Sequence, residues 1–145
     1  MVAPVLFMLD TNTVSYIIRG QSRNARQKLE SLSGNDEVCI SAITEAEVRY
    51  GLAKRPMKDD VREKIERFLD TIDIQPWDSD AATEYGIMRA KLEAGGRTLA
   101  NMDLQIASHA RSLGTVLVTN DKAFVNADGI FAMVNWADDL PNPDQ

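Results

Sequence analysis

Residues 7–13 read Phe-Met-Leu-Asp-Thr-Asn-Thr, and residues 116–121 read Val-Leu-Val-Thr-Asn-Asp. In each stretch three apolar residues run into an aspartate that has a threonine and an asparagine beside it. A short apolar run bounded by polar residues reads as a buried strand. Both stretches therefore set a carboxylate just past the carboxyl end of a strand, which is where open α/β sheets bind their ligands. The strand would fix the acid, and the neighbouring hydroxyl and amide would aim it.

Working outward, five apolar segments have strand length: Val5–Leu9, Val38–Ile43, Thr71–Ile74, Val116–Val118 and Phe131–Val134. Helical patterns lie between them. Val14, Ile17 and Ile18 follow Asp10 at helical spacing, and Ala25, Leu29 and Leu32 continue into a second helix stopped by Ser33-Gly34-Asn35. Further helices are read over Ala46–Lys54, around Val61–Leu69, over Ser79–Ala94 and over Met102–Leu113. Strands alternating with helices imply βαβ units. The expected fold is a three-layer α/β/α sandwich with a mostly parallel sheet of about five strands. One domain spans 1–145, with its core over about 5–137 and a frayed tail over 138–145.

Composition agrees with that reading and removes other classes. The chain has 145 residues, enough for one core, with 44% hydrophobic and 26% charged residues, as in ordinary globular proteins. No apolar run approaches the ~20 residues that cross a bilayer. The N-terminus has no basic region and Asp10 interrupts its apolar stretch, so a secretory signal is not expected and the cytoplasm is. Cys39 is the single cysteine, which excludes a disulfide framework and a thiolate metal cluster. The net charge of −6 argues against a broad basic surface for nucleic acid. It does not argue against a nuclease, because metal-binding carboxylates meet phosphate through a divalent ion.

Four acids fall where strand ends and helix starts should meet. Asp10 ends the first strand and Asp121 follows the fourth. Glu47 lies one turn into the helix after Val38–Ile43, with Thr44 as the expected N-cap. Asp103 opens the helix that carries Leu104, Ile106, Ala107 and Ala110, where the helix dipole favours an anion. Such a group of carboxylates repels itself unless a cation neutralises it. An all-oxygen ligand set suits Mg²⁺ or Mn²⁺, and two such ions ~3.5–4 Å apart position water and leaving oxygen in phosphodiester hydrolysis. Thr11, Asn12, Thr119 and Asn120 would orient the acids or the water. Aspartate and asparagine at strand ends also cap helices and make turns, so spacing alone leaves both readings open.

Four blocks, taken together in order and spacing, carry a resemblance: Phe7–Thr13, Ile40–Leu52, Asn101–Ala110 and Val116–Phe124. They resemble the PIN-domain nucleases, and within them the VapC-type toxins of bacterial toxin–antitoxin pairs, over about Phe7 to Trp136. The resemblance implies that Asp10, Glu47, Asp103 and Asp121 are the metal-binding and catalytic acids. Glu47 is chosen over Glu45 because it opens the E-x-x-x-G run ending at Gly51. The fourth acid varies most among relatives, and Met102 stands where many have asparagine or phenylalanine. The resemblance further implies a Mg²⁺- or Mn²⁺-dependent endoribonuclease, a homodimer, a VapB-type antitoxin partner, and RNA as substrate, with tRNA as a lead.

Other residues receive weaker readings. His109 is the single histidine, which rules out a two-histidine ribonuclease site. It lies about 240° round the helix from Asp103, so packing is its expected role. Ser15 and Ser41 have no sequence-readable histidine base, which disfavours a serine nucleophile. Cys39 is expected to be a small buried residue. Arg97, Arg19 and Arg49 are candidates for RNA phosphates, against the plainer reading of solvated helix faces. Trp77, Tyr50 and Tyr85 are expected in the core or a dimer interface rather than stacked on bases.

Four rival readings are weighed against this one. A haloacid-dehalogenase-like phosphatase needs a second acid at position 12, which is asparagine here. A phospho-receiver domain needs an acidic pair in the first loop and an aspartate ending the third strand, and neither is present. A non-catalytic PIN-like module would be expected to lose some of the acids, and all four are here. A PIN nuclease acting on DNA or in ribosomal RNA processing stays compatible with the residues.

Overall fold

The computed structural model describes residues 6–32, 37–127 and 129–140. Five strands form one parallel sheet in the order β3-β2-β1-β4-β5. They are β1 (Phe7–Leu9), β2 (Val38–Ser41), β3 (Asp73–Gln75), β4 (Val116–Val118) and β5 (Met133–Val134). The helices are α1 (Thr11–Arg19), α2 (Arg23–Ser31), α3 (Ala42–Lys54), α4 (Asp59–Thr71), α5 (Ser79–Ala94) and α6 (Asn101–Ser112). A 3₁₀ turn over Lys122–Ala127 follows β4.

Alternation along each strand builds the three layers. Met8, Cys39 and Leu117 point to one face and pack with Met88, Leu92, Ile106 and Ala107 of α5 and α6. Leu9, Ile40 and Val118 point to the other and pack with Val14, Ile17, Leu52, Ile65 and Leu69 of α1, α3 and α4. Both faces being covered, the central strands β1 and β4 read as unbroken apolar runs, whereas β3, at the sheet edge, reads Asp-Ile-Gln.

Strand order places the switch point. From β1 the chain steps outward through β2 to β3, then crosses back and pairs β4 on the other side of β1, with Leu9 opposite Val118. The carboxyl ends of β1 and β4 are thus neighbours, and Asp10 N–H donates to the Val118 carbonyl at 3.0 Å.

Several expected boundaries move for local reasons. Helix α3 begins at Ala42, not Ala46, because the Ser41 hydroxyl accepts from Ile43 N–H and caps the helix there. Thr44 is therefore not the N-cap but a buried residue of the first turn. Strand β3 starts at Asp73, since Thr71 still belongs to α4 and returns its hydroxyl to the Arg67 and Phe68 carbonyls. Strand β5 is shorter than expected, Met133–Val134. The end of the chain, read as frayed from 138, is held at its start: Asp139 accepts from Ser22 Oγ at 2.6 Å and from Arg23 N–H, while Asp138 accepts from Asn24. Val5, Ser33-Gly34-Asn35 and 141–145 lie outside the described residues. Among the described residues no helix is long and apolar enough to cross a membrane.

Candidate active site

Asp10 leaves the sheet at the end of β1 and is only 5% exposed. Its Oδ1 accepts from Thr13 N–H at 2.8 Å, so it caps α1, and its carboxylate also accepts from the Thr119 hydroxyl. Thr119 comes from beyond β4, and its Oγ1 in turn accepts from Asp121 N–H at 3.1 Å. One threonine therefore ties the first acid to the backbone of the fourth. Burial, and after it the Asp121 charge, raises the Asp10 pKa, while the hydrogen bonds from Thr119 and Thr13 oppose the rise.

Glu47 is brought in by α3. Its Oε1 accepts from Thr11 Oγ1 at 2.7 Å, which docks α3 on the first turn of α1. Glu45, two residues earlier, instead pairs with Arg49 at 2.9 Å on another face of the helix. Asp121 is turned by its own segment, with Oδ1 accepting from Ala123 N–H at the start of the 3₁₀ turn.

Asp103 sits in the first turn of α6, half-buried. Burial comes first in pushing its pKa up to about 6, followed by the charges of Asp121, Asp10 and Glu47. The four acids are thus within electrostatic reach, although they come from four segments. Among the described residues they do not close a cage: no three of His, Cys, Asp and Glu stand close enough to enclose an ion. The acids therefore form an open, all-oxygen cleft around the end of β1. That fits a hydrated Mg²⁺-type ion, which keeps several waters and binds through one or two carboxylates.

The remaining expected residues divide. Asn12 is exposed at the mouth of a groove between α1 and α3, which Arg19 also lines. Asn120 Oδ1 is buried beside Asp121 without a protein hydrogen-bond partner. Arg49 is committed to Glu45. Arg97 lies against Gly95 in a separate pocket with Tyr85 and Arg89, away from the groove that Glu47 lines.

Two features escaped the sequence reading. Ser41, thought to lack a histidine, has His109 Nδ1 2.8 Å from its hydroxyl, and the ring also bonds to the Pro76 carbonyl. Both residues are buried, at 0% and 1% exposure, so the pair is inaccessible as a nucleophile and instead ties α6 to the end of β2. No local signal could show this, since 68 residues separate the partners. Tyr50, expected in the core or a dimer interface, is 62% exposed in the single chain and so is not part of the core. Trp77 and Tyr85 meet edge to face, with Trp77 Nε1 donating to the Gln105 carbonyl.

Comparison with known proteins agrees with the fold. The family model described as PIN domain matches residues 7–130. The tRNA(fMet)-specific endonuclease VapC of Shigella flexneri is 35% identical over 131 residues, covering 90% of this chain and 98% of that protein. Ribonuclease VapC2 of Rickettsia felis is 35% identical over 133 residues, 91% of this chain and 98% of its own. The crystal structure of VapBC2 from Rickettsia felis bound to a promoter DNA fragment superposes with a TM-score of 0.82 at 33% identity, covering 91% of this chain and 99% of that one. PIN-domain ribonucleases depend in general on a divalent metal ion. The chain belongs to the PIN-domain family, and within it to the VapC ribonucleases.

Proposed function

We propose that the protein is a Mg²⁺-dependent endoribonuclease acting as the toxin of a toxin–antitoxin pair in the cytoplasm, with Mn²⁺ able to substitute. The observation that carries the chemistry is the convergence at the β1–β4 switch point of four carboxylates from four segments. Asp10 and Asp103 would hold the ion, and Glu47 and Asp121 would hold its waters. When bound, the ion neutralises the acids and lowers the pKa of coordinated water. Thr11 keeps Glu47 turned toward the cleft, and Thr119 keeps Asp10 rigid. A water held by these carboxylates would give a proton to one of them and attack phosphorus. The bond from phosphorus to the leaving oxygen would break and that oxygen would take a proton from water, leaving a phosphate on one fragment and a hydroxyl on the other.

The VapC names of relatives support RNA as substrate, and the tRNA(fMet) specificity of the Shigella protein makes a structured tRNA the first to test. VapBC complexes among the similar solved structures support a VapB-type antitoxin as partner; the toxin homodimer that the resemblance implies belongs to the same proposal. The test is sequencing of RNA 5′ ends after brief induction of the protein and of its Asp10→Asn variant. New ends are expected only with the unmodified chain, and EDTA should silence cleavage in vitro. Cleavage by Asp10→Asn at the same positions would overturn the assignment.

A further inference from the structure

A groove of about 330 Å³ runs between α1 and α3 and opens beside Glu47. On α3, Glu47, Tyr50, Gly51 and Lys54 stand at i, i+3, i+4 and i+7, so they share the face that lines it. Arg19, in the last turn of α1, and Arg55 line the same space. Around an apolar floor of Val14, Ile18, Met57 and Ile65, the groove sets three cations against one acid in a chain of net charge −6, which favours an occupant carrying both an apolar ring and an anionic group. Lys54 Nζ lies 5.3 Å from the Tyr50 ring centroid, and the ring is 62% exposed.

Gly51 is the second observation. A glycine in mid-helix is less favourable than alanine. A Cβ built there meets nothing within 4 Å, so no packing inside the protein requires the glycine. What its missing side chain does is leave the groove wall bare beside Tyr50.

We infer that this groove is a subsite for a nucleotide of the RNA next to the scissile phosphate. The base stacks on the free side of Tyr50, Lys54 and Arg55 or Arg19 meet the phosphates, and Gly51 lets the strand approach the helix. The inference rests on the nuclease reading and adds where the RNA runs.

The test is single-turnover cleavage of total bacterial RNA, followed at a site the unmodified protein cuts, as enzyme concentration is varied. Tyr50→Ala should raise the half-saturating concentration roughly tenfold with little change in plateau rate, while Tyr50→Phe retains binding. Lys54→Ala with Arg55→Ala should lower the slope of log affinity against log salt by about 1.4, two phosphates on a single strand. Gly51→Ala should raise Tm by about a few degrees yet weaken RNA binding, whereas Gly86→Ala, at an equally open site in α5, should raise Tm without that loss. Unchanged half-saturation in Tyr50→Ala and Gly51→Ala would overturn the inference. So would variants that cut RNA normally but fail to bind the antitoxin, since the groove would then be a protein site. If the unmodified protein cuts no RNA, the nuclease reading fails first, and this inference with it.

Discussion

The hydroxyl of Thr11 donates to Oε1 of Glu47 at 2.7 Å, across 36 residues of sequence. The first residue of α1 thereby orients an acid carried by α3, and the same turn of α1 is capped by Asp10. Two of the four acids are set by one helix terminus.

Thr11→Val keeps the shape of the side chain and removes the donor. Loss of an orienting partner of this kind costs about 10–100-fold in metal affinity or activity. The expected result is a fall of that order in cleavage rate with Tm little changed, and recovery in Thr11→Ser. Steady-state cleavage with thermal melting checks it, and full activity in Thr11→Val would show that Glu47 needs no such support.

Asp10 has two duties that substitution separates. Asparagine caps a helix about as well as aspartate, whereas alanine costs about 1 kcal/mol. Asp10→Asn should therefore keep the stability of α1 and lose activity, and Asp10→Ala should lose both. Urea denaturation beside cleavage assays distinguishes the variants.

The charge of the cleft makes metal-free stability depend on pH. Asp103 is raised to about 6 in the folded protein from an ordinary 3.8, so between those values the folded state binds more protons than the unfolded one. Its contribution is present at low pH and is lost as pH rises through about 6. Measured against Asp103→Asn, Tm in EDTA should fall from about pH 4.5 to 6.5, and saturating Mg²⁺ should remove most of that fall. In Asp103→Asn the slope should flatten. A metal-free Tm that rises over this range in the unmodified protein but not in Asp103→Asn would contradict the sign.

His109 opposes that trend below its ordinary 6.5. Burial lowers its folded pKa, so the unfolded chain takes up the proton first and stability falls as pH drops beneath 6.5. Ser41→Ala and His109→Gln should each destabilise, Ser41 by about 1–2 kcal/mol through the lost cap and hydrogen bond. A double-mutant cycle should return a coupling of about 0.5 kcal/mol or more, with cleavage in the cold retained. Strict additivity would show the two side chains to be independent.

Local chemistry wrote a large part of this protein along the chain. Apolar runs at Phe7–Leu9 and Val116–Val118 specify strands, and the 3.6-residue period of Val14, Ile17 and Ile18 specifies a helix, because each pattern spans only a few residues. Glu47 was preferred to Glu45 through the resemblance, on the E-x-x-x-G run ending at Gly51, and the structure turns Glu45 to Arg49 and Glu47 to Thr11. What local pattern could not carry is which strand lies beside which. Thr13 reaches the Val118 carbonyl over 105 residues, and Ser41 reaches His109 over 68. Those pairings depend on two apolar faces mating across the sheet, a free energy that belongs to the assembled core and to no single segment. The same assembly, by closing α1 against α3, decides that Tyr50 faces the groove beside Glu47 and that Arg49 does not.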